Sequence, residues 1–474
     1  MTVHILIVED EDDVIEDLKA VIYGISKNVQ IRTAKSRDSA CVLLETEFFD
    51  FAIFDLKIPT QDGGLDGEPE HGHFVFAHAR ICAPGINILV LTSSPSEDFT
   101  STMLKAKEHV DIWSEGRKVG TVDFLRKLDF IQAPDLLAPI IGAIEALEEI
   151  ELNLRDVNLS IDQDRLIRIF AKKFNAGQCI VSPLTPGRSG ATPLRLQLLD
   201  LGGAPIQTAV AKLGPLPKVQ DECARYDNSV ALLNPASTPR KMATLEYGAG
   251  STAGIFYGLA AGFDQSLFEV IQADDAAAAR AVEAIGAALA QWPYGVGQSR
   301  QTVAAIRECQ LSDASAAALQ ASYSLDWAAA YEAEPVQARW CCVHGDLHGG
   351  NALVTANQLA VLIDYGDVGP CAASYDPLTL ELSAVLHPDI EKSAAWPTVE
   401  HCRNWGNLEL YLEGSPIPLF VRQCRAWARA LAAGEREIAA AAYAYLLRQL
   451  KYDDTDKERI IALLEGVRAF RAGT

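Results

Sequence analysis

The chain has 474 residues, 49% of them hydrophobic and 22% charged, with 63 acidic against 41 basic side chains and a formal net charge of −22. That length exceeds one ordinary core and predicts two or three domains, and the negative field repels phosphate backbones, which argues against a nucleic-acid partner. Ten cysteines without a CxxC spacing fit reduced thiols rather than a disulfide framework or a zinc site.

The start, MTVHILIVEDEDD, lacks a basic leader, and no twenty-residue stretch is expected to span a bilayer, so a cytoplasmic chain without a membrane partner is expected. Residues 4–10, 50–56, 87–93 and 121–127 repeat one design, an apolar run ending in a polar residue. Helical patterns at Val14–Ile25 and Ser36–Glu47 lie between them. Strands alternating with helices predict an α/β fold with a doubly wound five-stranded parallel sheet, whose functional residues fall at the carboxyl ends of the strands. An amphipathic stretch at Asp135–Glu151 closes this half, and the polar segment LNLRDVNLSIDQD marks a boundary near residue 155. The second half opens with a helix at Asp164–Phe174. Strand-like runs follow at Gln178–Leu184, Leu194–Leu201 and Ile206–Leu213, then a strand-turn-strand insert at Arg339–Tyr365 and Ala-rich helices at 275–290 and 425–447. Strands first and helices after predict a small α+β lobe on a larger helical one. The domain reading is 1–131, a closing helix and linker at 132–162, a small lobe at 163–262 and a helical lobe at 263–474.

In the first half, Glu9 and Asp10 end the first strand, Asp55 the third, Thr92 the fourth and Lys127 the fifth. Three carboxylates on one rim repel each other unless a hard cation sits among them, and oxygen-only ligands suit Mg²⁺. Asp55 would then act as nucleophile toward a phosphoryl group, with Thr92 and Lys127 placed to receive the new phosphate oxygens. IVEDED, FDLKIP, LVLTS and DFLRK together resemble the response-regulator receiver family over about residues 3–130. The resemblance implies phosphorylation of Asp55 by a sensor histidine kinase or other phosphodonor, a switch in which Phe124 rotates, and a possible homodimer through the receiver. Two departures stand out: Leu128 replaces the usual proline after the lysine, and the chain is longer than usual after Asp55 (GGLDGEPEHGH) and between Thr92 and Lys127.

In the second half, HGDLHGGN at 344–351 and LIDYGD at 362–367 supply what γ-phosphoryl transfer from ATP needs. Asp346 suits the base, and Asn351 and Asp364 suit the metal ligands for Mg²⁺. Lys212 on the strand TAVAKLG suits the α/β-phosphates, with Glu222 on the next helix to hold it. The turn LTPGRSGA, with Gly187, Ser189 and Gly190, can cover phosphates with backbone N–H groups. Taken singly, Lys212 reads as one more exposed lysine and Glu222 as a surface acid. Their order relative to the HGD motif is what gives the pair weight. This half resembles the aminoglycoside and choline phosphotransferase branch of the protein-kinase-like superfamily over about residues 165–450. In that branch an aspartate corresponding to Asp376 is structural. Gly345, where protein kinases carry arginine, removes the partner for a phosphorylated activation loop.

The combined expectation is a two-component response regulator. Its receiver, phosphorylated on Asp55, modulates an ATP-dependent phosphotransferase acting on a hydroxyl or amine acceptor that the sequence does not identify. The alternative is a nucleotide-binding pseudokinase adaptor that signals through protein contacts without phosphotransfer.

Overall fold

The computed structural model describes residues 2–93, 108–184, 193–259, 262–263, 265–357, 359–390 and 396–472. The chain divides into two compact units, residues 1–220 with 241–259 and residues 221–240 with 260–474.

The first unit begins with strands β1 (Val3–Val8), β2 (Val29–Ala34), β3 (Phe51–Phe54), β4 (Asn87–Thr92) and β5 (Val122–Arg126). They pair in parallel in the order β2-β1-β3-β4-β5. This is the flavodoxin-like, doubly wound order expected for the first half. β3 and β4 are buried at every position because helices cover both faces. β2, sequence VQIRTA, lies at the sheet edge and is largely exposed. Without an apolar run it has no signal that periodicity can find. The covering helices are α1 (Asp12–Ile25), α2 (Arg37–Thr46), α3 (Pro69–Cys82) and α4 (Ala133–Glu145). A capping box on Ser36 starts α2, and the Ser36 and Ser39 hydroxyls both donate to Asp62 in the loop after β3.

With its flanking 3-10 turns, α4 makes a helical run, Lys127–Glu149, containing an 18-residue window of mean hydropathy 1.4, so the run is long and apolar enough by composition to cross a membrane. This corrects the expectation that no such stretch exists. Leu137, Ile141, Ile144 and Leu147 of that run are fully buried in the receiver core.

A six-stranded sheet completes the first unit: β6 (Glu151–Leu154), β7 (Gln178–Pro183), β8 (Leu194–Leu199), β9 (Pro205–Pro215), β10 (Arg240–Leu245) and β11 (Thr252–Leu259), ordered β10-β11-β9-β8-β7-β6. Residues 151–154, inside the polar segment between the halves, thus form an edge strand of this sheet. Helix α5 (Ile161–Lys173) packs on it through Leu166, Ile167 and Phe170. Its Ile169 turns the other way, into the receiver core with Ile112, Trp113, Ile141 and Ile144.

The amino edge of the receiver sheet is therefore sealed against this small lobe. Arg165, 3% exposed, reaches Asp50 just before β3, with Nε to Oδ1 at 2.6 Å and Nη2 to Oδ2 at 3.2 Å, and also donates to the Thr2 carbonyl at 2.8 Å. Gly85, just before β4, accepts from the Gly248 amide and donates to the Gly250 carbonyl, each at 2.9 Å. A Cβ at Gly85 would lie 2.7 Å from the Glu246 carbonyl oxygen, so only glycine allows this approach. Part of the extra length between Thr92 and Lys127 serves the same seam. His109–Val110 pairs with Val119–Gly120, and the Ile112 and Trp113 between them are 2% and 3% exposed.

The second unit is mainly helical. Its principal helices are α6 (Leu216–Asn228, whose first turns lie in the first unit), α7 (Leu267–Ala273), α8 (Asp275–Leu289), α9 (Tyr375–Leu386), α10 (Pro418–Leu431), α11 (Glu435–Gln449) and α12 (Lys457–Ala472). Short antiparallel strands β12 (Gln298–Thr302), β13 (Pro335–Val343), β14 (Ala352–Val354), β15 (Ala360–Leu362) and β16 (Gly369–Ala372) frame the HGD and LIDYGD loops. Inside this unit Arg425 and Glu381, both fully buried, pair at 2.6 Å with Trp405 donating to the same carboxylate. Each charge keeps a partner, as a buried charge must.

Candidate active sites

The first site is at the carboxyl ends of the receiver strands. Glu9 and Asp10 follow β1, Asp55 follows β3, Thr92 ends β4 and Lys127 follows β5. Parallel pairing brings these ends to one rim. Glu9, Asp55 and Thr92 are 1%, 4% and 3% exposed, whereas Asp10 is exposed. One carboxylate oxygen from each of Glu9, Asp10 and Asp55 lies within 4.8 Å of the others. Lys127 Nζ is 2.8 Å from Glu9 Oε2 and 2.9 Å from Asp55 Oδ2, and the Leu56 amide donates to Asp55 Oδ1 at 2.7 Å.

The electrostatics follow from that crowding. Burial, then the Asp55 charge, push the Glu9 carboxyl up to about 7. Burial also raises the Asp55 carboxyl, with Lys127 opposing. Burial alone would lower the Lys127 ammonium, but its contacts with Glu9 and Asp55 outweigh that and hold it above its ordinary value. One ammonium is shared by Glu9, Asp55 and, at 3.6 Å, Glu11, with Asp10 a further carboxylate beside them, and Glu9 Oε2 is buried without an aligned hydrogen bond. This donor set, all oxygen and short of positive charge, fits a divalent hard cation. Phe124 is partly buried against the core formed by Leu6, Val8 and Val90. Leu128, in the proline position, is 88% exposed.

The second site is the pair of loops in the second unit. Asp376 at the start of α9 is fully enclosed, and burial raises its carboxyl. It accepts the His344 amide at 2.7 Å and the Gly345 amide at 3.0 Å. The His344 ring nitrogen Nε2 lies 3.1 Å from the Ile363 carbonyl, and the Asn351 side-chain amide donates to the Asp346 carbonyl at 2.9 Å. The Ile363 amide donates to the Asn351 carbonyl at 2.9 Å. These bonds stitch the Asp346–Asn351 loop to the segment carrying Asp364, which has a positive φ of 68°. Gly345 has φ +81°, and a Cβ there would lie 2.3 Å from the Asp367 carbonyl oxygen. No side chain fits at that position. His348 stacks on Phe268 with ring centroids 5.9 Å apart, and its Nε2 is 3.7 Å from Asp346 Oδ2.

Lys212 lies on β9 in the first unit and Glu222 on α6 in the second; they are 8% and 6% exposed. Neither is the exposed surface charge that each would be by the bland reading. Gly187, Ser189 and Gly190 lie outside the described residues. A cavity of about 460 Å³ walled by Trp292, Trp427 and Cys341 touches Asp376 but none of Asp346, Asn351 or Asp364. The residue that sequence reasoning missed is Arg448 of α11. Its guanidinium sits 3.3 Å from Asp346 Oδ1 and 3.1 Å from Asp367 Oδ2. No motif marks it, since it lies 102 residues from Asp346 inside an ordinary helix.

Residues 183–380 match the phosphotransferase enzyme family. No curated protein matches. Among solved structures, the chain is similar to a CheY-like response regulator receiver domain protein from Methanospirillum hungatei, at 19% identity, covering 31% of this chain and 99% of that one, with a TM-score of 0.23. It is also similar to an aminoglycoside-3′-phosphotransferase of type VIII, at 18% identity, covering 58% and 93%, with a TM-score of 0.34. An amicoumacin kinase solved with AMP-PNP, Ca²⁺ and its antibiotic matches at 12% identity, covering 62% and 88%, with a TM-score of 0.31.

Proposed function

We propose that this chain is a response regulator whose output is an ATP-dependent phosphotransferase, controlled by phosphorylation of Asp55. The observation that carries the reading is the assembled rim of Glu9, Asp10, Asp55 and Lys127 in a chain whose other half matches a phosphotransferase family.

When bound, Mg²⁺ would neutralise phosphoryl charge at both centres, held by Glu9, Asp10 and Asp55 in one and by Asn351 and Asp364 in the other. An Asp55 oxygen attacks the phosphorus of a phosphohistidine donor; the P–N bond breaks and an acyl phosphate forms. Thr92 and Lys127 then hold the new oxygens, which frees Lys127 from one of its carboxylates. In the second half, Asp346 takes the proton of the acceptor hydroxyl or amine as that atom bonds to the γ-phosphorus and ADP leaves. Lys212 would orient the α- and β-phosphates. The acidic balance of the chain suits a cationic acceptor.

The test is ADP release by the full chain in Mg-ATP, with and without beryllofluoride as the acyl-phosphate mimic. A coupling of about 1–3 kcal/mol predicts a rate change of roughly 5- to 150-fold. That change is expected in the wild type and absent in Asp55→Asn. Equal rates in the wild type refute the control, and ATP binding without any ADP release points to the adaptor instead.

A further inference from the structure

Gly345 lacks the side chain with which a protein kinase would place a cation beside its catalytic aspartate. Here the space is filled by the Asp367 carbonyl, 2.3 Å from where a Cβ would stand, and by the Gln310 amide, 2.8 Å away. The loop nonetheless has a cation beside it, delivered from a distant helix. Arg448, near the carboxyl end of α11, has a side chain only 12% exposed. Its Nη1 donates to Asp346 Oδ1 at 3.3 Å, to the Gly345 carbonyl at 3.4 Å and to Gln310 Oε1 at 3.1 Å, while Nη2 donates to Asp367 Oδ2 at 3.1 Å.

We infer that Arg448 is a positioning residue for phosphotransfer, an inference that rests on the role proposed above for Asp346. The guanidinium is a rigid planar fork, so its two nitrogens fix the separation of whatever they hold. One arm holds the loop carrying Asp346 and the other holds the residue that ends LIDYGD, three positions past Asp364. The candidate base and the candidate metal-bearing segment are thereby set against one another by a single side chain. Within Asp346 the grip is one-sided. Oδ1 faces Arg448, while Oδ2 faces His348 Nε2 at 3.7 Å. Asp346 keeps 31% side-chain exposure through which an acceptor can reach it. Arg448 also places a positive charge between Asp346 and Asp367, which offsets the repulsion between the two acidic loops. Charge alone would be met by a lysine. Holding two carboxylates at a set distance requires the fork.

Substitution separates these roles. The full chain is assayed for ADP release over a range of Mg-ATP concentrations as wild type, Arg448→Lys and Arg448→Ala. Orientation of a general base is worth about 10²–10⁴ in rate, of which a supporting contact supplies a part. Arg448→Ala should therefore lose about 100-fold in kcat and Arg448→Lys about 10-fold, with KM for ATP unchanged. Added guanidinium should restore part of the Ala variant's kcat. Wild-type kcat in Arg448→Lys overturns the inference even if the Ala variant does not fold. A loss in Arg448→Ala that appears in KM rather than kcat overturns it as well. A wild-type chain that releases no ADP overturns the phosphotransfer reading, and this inference with it.

Discussion

Replacing Arg165 by methionine tests whether the receiver and the small lobe are one cooperative body. The volume of the side chain is nearly kept, and what is lost is the charge and three hydrogen bonds, two to Asp50 and one to the Thr2 carbonyl. Asp50, 2% exposed, keeps only the His4 amide at 2.8 Å. Removing one partner of a buried pair leaves an uncompensated charge and typically costs about 3–5 kcal/mol. In a unit of this size, 1 kcal/mol moves the melting midpoint by roughly 2–4 °C, so the variant should melt about 10 °C lower. The double variant Arg165→Met with Asp50→Asn should recover much of that loss, because the stranded charge is gone. Thermal melting of the full chain, followed by circular dichroism, reads both. Because the pair is buried, the shift should persist at high salt, where a surface pair would be screened. A shift below about 2 °C for the single variant, or simple additivity in the double, would refute the idea that this pair fastens the two parts.

Four further outcomes follow from the two sites. Glu9, raised to about 7, must lose its proton to bind a cation, so Mg²⁺ affinity should fall about tenfold between pH 8 and pH 6 in calorimetric titration, and Glu9→Gln should abolish that dependence. The same shift fixes the sign of stability in the metal-free chain. Glu9 favours the fold fully below its ordinary 4.5, and that contribution is lost as pH rises through about 7, a span of 7 − 4.5, or about 2.5 units. At 1.36 kcal/mol per unit this is on the order of 3 kcal/mol, so metal-free Glu9→Gln should be more stable than wild type at pH 8 in urea denaturation. Asp346→Asn should cut ADP release by about 10²-fold or more while ATP binding by fluorescent-nucleotide titration stays near wild type. Gly345→Ala combines a left-handed φ with a backbone clash and should destabilise the second unit by at least about 2 kcal/mol in the same denaturation experiment.

The receiver site was legible because its strands are apolar runs that end abruptly in acid, threonine or lysine, and parallel pairing gathers those ends. The same reasoning failed at β2, an edge strand with no apolar run. It also failed at β10 and β11, where RKMATL is mostly half-exposed and TAGIFYGL is interrupted by glycines. In the second unit, the short loop from His344 to Asn351 declares itself because its chemistry is packed into eight residues. Arg448 and the Arg165–Asp50 pair stayed hidden for the opposite reason. Their partners are 102 and 115 residues away, and an arginine in a helix has the same local pattern whether it faces water or a carboxylate. The extra residues between Thr92 and Lys127 registered only as a departure from the receiver pattern. Their physical purpose, to supply Ile112 and Trp113 to a core shared with Ile169, emerges only in three dimensions.

That shared core carries a historical consequence. Here the glycine at 85, the aspartate at 50 and the tryptophan at 113 answer to an arginine, an isoleucine and a glycine-rich turn contributed by the neighbouring lobe. Evolution of either side therefore constrains the other, and across descendants of this gene these positions should change together or not at all. A chimera that swaps in another five-stranded domain without its half of the seam should fold poorly, however stable that domain is alone.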